Sequence, residues 1–321
     1  MFASDRAALS GSTAAVPQFE NERPRETDDA LLAAVGHTPL LPLCRISRGG
    51  GFELYAKAEF LNPSGSVKDR AALAIVHRAL AEGRLSGGRV LLDASSGNTA
   101  VAYAMLGARL GFPVELCVPR NANPDRVARM RAFGARIVFT DPAEGSDGAQ
   151  REARRLADAD PEHRFYPDQY NHPGNPGAHY ATTGPEIWEG LHGRLTHFVA
   201  GVGTGGTISG SGRFLKEKDP RIRVIGVEPT GPIHGIEGLK HLPTALRPST
   251  YDARVVDETI RIETEEASEV RASLAELEGL AVGLSSGAAV AAALRVGRAH
   301  PGAVIATILP DSGHLASEAR P

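Results

Sequence analysis

The sequence predicts an α/β protein made of two domains with parallel-rich sheets, and three observations carry that expectation. Short apolar segments of strand length alternate with helical patterns of about three turns along most of the 321 residues. The turns that follow the apolar segments are rich in Gly, Ser and Thr. A Pro/Gly/His-rich stretch, residues 166–179, divides the alternation into two arrays. Strands that read as continuous apolar runs between helices imply sheets covered on both faces.

In order, residues 1–30 include the polar, aperiodic "NERPRETDD" and are expected to form a flexible N-terminal arm. "DDALLAAVG" carries acidic residues at its start and Gly36 after its end, the marks of a short helix. "ELYAKAEF" reads as a strand and 67–82 as a helix. "RVLLDAS", "PVELCVP" and "RIVFTD" read as strands, each followed by a helix: 98–110, 124–133 and 144–158. Beyond the divider, "THFVAGVG" leads into a helix at 206–218 and then the strand "RVIGVEP". After a loop-rich stretch come helices in "EEASEVRASLAELEG" and "SSGAAVAAALRVG", and a last strand, "AVIATILP".

Composition narrows the function. With 35 Lys+Arg against 38 Asp+Glu the net charge is −3, so no basic stripe points to nucleic acid. No apolar run reaches membrane-spanning length. "MFASDRAALSGS" carries Asp5 and Arg6 and no apolar core, so a secretion signal is not expected. Cys44 and Cys117 lack metal-site spacing, and Cys117 reads as a buried strand thiol. The expectation is a soluble cytoplasmic protein.

Ligands of open α/β sheets bind where strands end and loops lead into helices. In "NPSGSVKDR" the chain breaks before a helix that Ser66 caps, which puts Lys68 in the first helical turn. The helix dipole disfavours a protonated amine there, and a deprotonated amine attacks carbonyls. "DASSGNTA" places Ser95, Ser96, Asn98 and Thr99 at another helix start, an anion site. "FVAGVGTGGTISGSG" offers Gly201, Gly203, Gly205 and Gly206 with Thr204 and Thr207, a phosphate cradle without the Gly-Lys-Ser/Thr of a Walker loop. The same loop matches G-x-G-x-x-G, and Glu228 stands near the spacing of a ribose carboxylate, so an NAD-dependent oxidoreductase is the alternative from a different class. "ILPDSGHL" brings Asp311 and Ser312 to the last strand's carboxyl end, and local sequence does not choose between them. A reactive lysine, a phosphate cradle and a second anion site are the parts that hold pyridoxal 5′-phosphate and an amino acid.

Six motifs, "GHTPLLPL", "NPSGSVKDR", "SSGNTA", "DQYNHPGNPGAHYATTGPEIW", "GVGTGGTISG" and "SSGAA", come in the order and near the spacing of the fold-type II, tryptophan synthase β-like pyridoxal-phosphate enzymes. Over about residues 30–315 the chain most resembles the cysteine synthase and cystathionine β-synthase group. The related dehydratases carry a Ser-Phe-Lys motif and four consecutive glycines, which are absent here. The resemblance implies a larger cofactor-binding domain of residues 31–50 and 169–321, and a smaller mobile domain of residues 51–168. It makes Lys68 the Schiff-base lysine and general base. Asn98 would bond the ring 3′-oxygen, Gly203, Thr204, Gly205, Gly206 and Thr207 the phosphate, and Ser312 would face the pyridine nitrogen. Ser95, Ser96, Thr99 and Gln169 would take the substrate carboxylate.

The implied reaction is β-replacement on O-acetylserine or O-phosphoserine through an aminoacrylate, making L-cysteine in a homodimer. The nucleophile stays open among sulfide, thiosulfate, a sulfur-carrier protein's thiocarboxylate and a non-sulfur amine. Lys240, counted back from Tyr251-Asp252, falls where phosphoserine-using members carry an arginine, so it is the candidate for a phosphate leaving group. Departures from the family are Ser95 for Thr, Ala100 for Gly, and the tail "GHLASEARP" for a Glu-Arg-Tyr-Leu ending. No regulatory domain and no Cys/His haem pattern is seen, so a mammalian-type cystathionine β-synthase is not expected.

Overall fold

The computed structural model describes residues 29–313. Residues 1–28 of the expected N-terminal arm and most of the departing tail therefore lie outside the described residues, while Asp29 and Ala30 belong to the start of a helix. The strands are β1 (Leu40–Pro42), β2 (Glu53–Ala58), β3 (Val90–Ala94), β4 (Val114–Pro119), β5 (Arg136–Thr140), β6 (Arg164–Phe165), β7 (His197–Gly201), β8 (Arg223–Pro229), β9 (Glu258–Ile262) and β10 (Val304–Leu309). The helices are α1 (Ala30–Ala33), α2 (Lys68–Ala81), α3 (Asn98–Leu110), α4 (Pro124–Ala132), α5 (Gly145–Ala159), α6 (Gly174–Ala178), α7 (Gly184–Gly190), α8 (Gly206–Lys218), α9 (Thr264–Glu278) and α10 (Leu284–Ala299).

Two sheets result, a six-stranded one in the order β1-β2-β10-β7-β8-β9 and a four-stranded one in the order β5-β4-β3-β6. Every pairing is parallel except β1 with β2. The wholly buried β4 and β10 carry the apolar runs that parallel strands covered on both faces require. One expected boundary moves. β2 lies within the stretch assigned to the smaller domain, yet it pairs with β10 in the larger sheet, so the chain crosses over after it.

Helix ends follow local chemistry. The Asp29 carboxylate accepts the Leu31 and Leu32 amides and opens α1, while Gly111 and Gly279, both left-handed, close α3 and α9. Ala288, Ala289, Ala291, Ala292 and Ala293 of α10 are buried, which lets that helix lie close on the larger sheet. Cys117 is fully buried, and burial pushes its thiol up to about 12, whereas Cys44 is exposed. The sequence reading omitted β1, β6 and β9. It also placed α6 inside the divider and assigned no helix to the π-helical turn at His179–Thr183 or to α7.

Candidate active site

The carboxyl ends of β3, β4, β7 and β10 meet at one cleft of about 530 Å3. Its wall includes Lys68, Ser95–Thr99, Gln169, Gly203–Gly205, Thr207, Lys240, Ser285 and Asp311. Two loops from different sheets therefore face a single space, as the switch-point rule for α/β folds requires.

Lys68 is the first residue of α2, and the Ser66 hydroxyl accepts its backbone N–H at 3.2 Å. The preceding turn is locked from behind. Buried Asp69 accepts the Ser64 N–H at 2.6 Å and the Ser64 hydroxyl, and Arg129 donates to the Ser64 carbonyl. Burial raises Asp69 to about 6 against those bonds. Among the described residues no ion pair or hydrogen bond holds the Lys68 Nζ. Burial lowers its pKa, and the charge of Asp311 only partly opposes that.

The loop from β7 to α8 is squeezed by its own protein. A Cβ on Gly203 would lie 2.0 Å from the Gly238 carbonyl oxygen, and one on Gly206 would lie 1.9 Å from Asn175 Oδ1. Gly205, at φ +84°, precedes α8 in the left-handed region, with Tyr251 against it. Asn175 donates to Thr204 Oγ1 at 3.0 Å, and the Thr250 hydroxyl donates to the Thr204 carbonyl at 2.6 Å. Thr207 lies 3.2 Å from Nε2 of buried His179, whose pKa burial and the nearby Arg70 guanidinium hold well below the usual imidazole value. Gly206 sits behind the wall, its amide donating to Thr204 Oγ1 at 3.4 Å, while Gly205 and Thr207 line the cleft at the start of α8, where a helix N-terminus suits an anion.

The loop from β3 to α3 is held from the side. The Gly97 amide donates to Ser95 Oγ at 3.2 Å, and Asn98 Nδ2 donates to Asp311 Oδ2 at 2.7 Å. Thr99 donates to Gln169 Oε1 at 2.7 Å, and Gln169 donates in turn to the Ala94 carbonyl. Asp168, just before it, is a non-glycine residue at φ +51°, an uncommon geometry that aims Gln169 inward.

Three placements differ from the sequence reading. Ser312 is exposed, bridges to Val282 and does not line the cleft; Asp311 takes the inward position, because successive residues of an extended segment point to opposite sides. Ser285, in the first turn of α10, lines the cleft and was overlooked, although "SSGAA" is itself a hydroxyl-rich helix start. Glu228 is buried at the end of β8, outside the cleft wall, so the oxidoreductase alternative loses its ribose carboxylate. Lys240 does face the cleft. Its Nζ stands 4.9 Å from the Tyr170 ring centre, and burial lowers its pKa with Asp147 opposing. At the mouth, Arg126 of α4 pairs with Glu237, joining the two domains through side chains that no motif flagged.

A free amine at the base of the cleft and a helix-capped anion cradle opposite it fit pyridoxal phosphate. The class is a fold-type II pyridoxal-phosphate enzyme: residues 31–311 match the family described as pyridoxal-phosphate dependent enzyme, and the chain belongs to it. Within that family it is 47% identical over 302 residues to a cysteine synthase of Aquifex aeolicus, covering 92% of each chain. A solved cysteine synthase of Entamoeba histolytica superposes with a TM-score of 0.85 at 31% identity, covering 98% of this chain and 94% of that one. A solved O-ureido-L-serine synthase gives a TM-score of 0.83 at 34% identity, covering 88% and 91%.

Proposed function

We propose that the protein is a cysteine synthase, replacing the Cβ leaving group of O-acetylserine with a sulfur nucleophile. One observation carries the reading: an unpaired, buried-side amine, Lys68, opens between two anion sites built on different sheets. The likeness to cysteine synthases supports it.

The cofactor, when bound, supplies an electron sink that stabilises negative charge at the substrate Cα. Gly203, Thr204, Gly205, Gly206 and Thr207 hold its phosphate, Asn98 its ring oxygen and Lys68 its aldehyde carbon. Ser285, rather than Ser312, would be the residue to meet the pyridine nitrogen, since Ser285 lines the cleft, and a neutral hydroxyl there would not protonate the ring. Ser95, Ser96, Thr99 and Gln169 fix the substrate carboxylate. Lys68, whose pKa burial lowers and which no carboxylate pairs, would remove the Cα proton and later return it. Lys240 would meet the extra charge of a phosphate leaving group. The working form is a homodimer in the cytoplasm, and a sulfur-carrier protein is one candidate donor; no helix among the described residues is long and apolar enough to cross a membrane.

The test follows the absorption spectrum of the yellow purified protein on adding O-acetylserine or O-phosphoserine, then sulfide, thiosulfate, a carrier thiocarboxylate or a non-sulfur amine. Borohydride should bleach the colour and leave the reduced cofactor on Lys68. A colourless protein that binds NAD would overturn the reading.

A further inference from the structure

Asp311 follows β10, and three helix starts meet on it. The Val67 amide donates to the Pro310 carbonyl at 2.8 Å and Ser66 bridges to Asp311, which ties down the turn before Lys68. The amide of Gly283, the N-cap of α10, donates to the Asp311 carbonyl at 3.1 Å, just before Ser285. The carboxylate reaches the third start. Its Oδ2 accepts from Nδ2 of Asn98, the first residue of α3, at 2.7 Å. Its Oδ1 is buried without a hydrogen-bond partner and lies 2.0 Å from where a Cβ on Gly283 would stand, so the carboxylate is wedged against α10. Asn98 is the only hydrogen-bond donor to it among the described residues. The charged groups around it are Lys68, Glu237 and Arg126, whose guanidinium is 3.8 Å from Oδ2.

A side-chain amide has a donor end and an acceptor end, and a carboxylate only accepts. The end of Asn98 that faces Asp311 is therefore the NH2, which spends one N–H there and keeps the other. Asn98 lines the cleft, and no other hydrogen bond holds its amide among the described residues. We propose that Asp311 is a positioning residue that fixes the flip of the Asn98 amide, so that an N–H rather than the carbonyl oxygen meets the ring oxygen of pyridoxal phosphate. This rests on the reading of Asn98 as the group that holds that oxygen. A donor there favours the ionised ring oxygen, which gives the bound cofactor its visible colour. An acceptor favours the protonated one, which absorbs in the near ultraviolet.

The test uses the cofactor-loaded full chain and reads its absorption spectrum and, by equilibrium dialysis, its affinity for pyridoxal phosphate. Asp311→Asn keeps the shape but offers Asn98 a donor as well as an acceptor, so the amide can turn either way. The variant should hold the cofactor about tenfold more weakly and lose visible absorption to a near-ultraviolet band. Asp311→Ala, which removes the acceptor outright, should give the same spectral change. Asn98→Ala should weaken the cofactor as much, and adding Asp311→Asn to it should cost no more than about twofold further, because Asp311 acts through Asn98. Circular dichroism like that of the wild type shows which variants are folded. An unchanged ratio of the two bands in a folded Asp311 variant, or losses of affinity that simply add, overturns the proposal and leaves Asp311 a structural tie. A wild type that takes up no pyridoxal phosphate overturns the proposed function itself, and this inference falls with it.

Discussion

Lys57 and Lys68 lie close in sequence, are both drawn out of water, and both have their amine pKa lowered by burial, yet they are opposite kinds of lysine. Lys57, 1% exposed on β2, donates to the Thr38 hydroxyl at 2.6 Å and pairs with Glu186, with Glu59 nearby. Arg70 completes the network, bonding Glu59 at 2.7 Å and Glu186 at 2.7 Å. Burial alone would raise Glu186, but Arg70 and Lys57 bring it down to about 2. The pairing keeps Lys57 a cation and ties β2 to α7. Lys68 has the burial without the partners, which leaves its amine free for the proposed roles of nucleophile and base. A lysine's chemistry here is set by whether a carboxylate sits beside it, not by how far it is from water.

That contrast can be broken from either side. Lys68→Ala should cost turnover on the order of 10³-fold or more, because one amine is both anchor and base. Its thermal midpoint, measured on protein free of cofactor, should stay near that of the wild type treated the same way. Turnover near wild type would remove Lys68 from the chemistry.

Lys57→Met should do the reverse. It leaves two buried carboxylates, Glu186 and Glu59, to share the single cation Arg70, at a cost of about 3 kcal/mol in urea unfolding. The folded fraction should turn over at close to the wild-type rate. A stable variant with poor turnover would mean that Lys57 belongs to the active site after all.

His197 extends the rule to imidazole. Burial, with His300 and Arg223 adding to it, brings it to about 4 from the ordinary 6.5. The unfolded chain therefore binds more protons between those values, so stability is full above about 6.5 and is lost as pH falls toward 4. The loss should be about 3 kcal/mol between pH 7 and pH 4, and His197→Phe should flatten that part of the profile. Identical acid slopes in the two proteins would show that His197 is charged in the native state.

Lys240 is the intermediate case, a cation at the cleft with an aromatic ring rather than a carboxylate against it. Lys240→Ala should cost O-phosphoserine about tenfold in kcat/KM, about 1.4 kcal/mol, and barely touch O-acetylserine. Equal losses on both substrates would make Lys240 a support for its loop.

Much of this was readable from the residues alone. Helices α3 and α8 begin and end where the sequence placed them, because capping and glycine punctuation are local. Lys68, Asn98, Thr99, Gln169 and the Gly203–Thr207 loop converge because each sits at a fixed offset from a strand end, and parallel strands deliver their carboxyl ends to the same side. β1, β6 and β9 were missed for a physical reason. They are three, two and five residues long, and all lie at sheet edges, where apolar patterning is weak and pairing alone defines the strand.

The sequence by itself determined the class of fold and singled out Lys68 and the two loops proposed to bind anions, since these rest on short-range periodicity, caps and glycines. Tertiary structure alone decided that β2 joins the larger sheet, that Asp311 and Ser285 reach the cleft while Ser312 does not, and that Lys57 is bound where Lys68 is free. Each of those outcomes depends on which distant groups arrive beside a residue. Local chemistry fixes what a side chain can do, and only the packing of the whole chain fixes its neighbours, its exposure and so its charge.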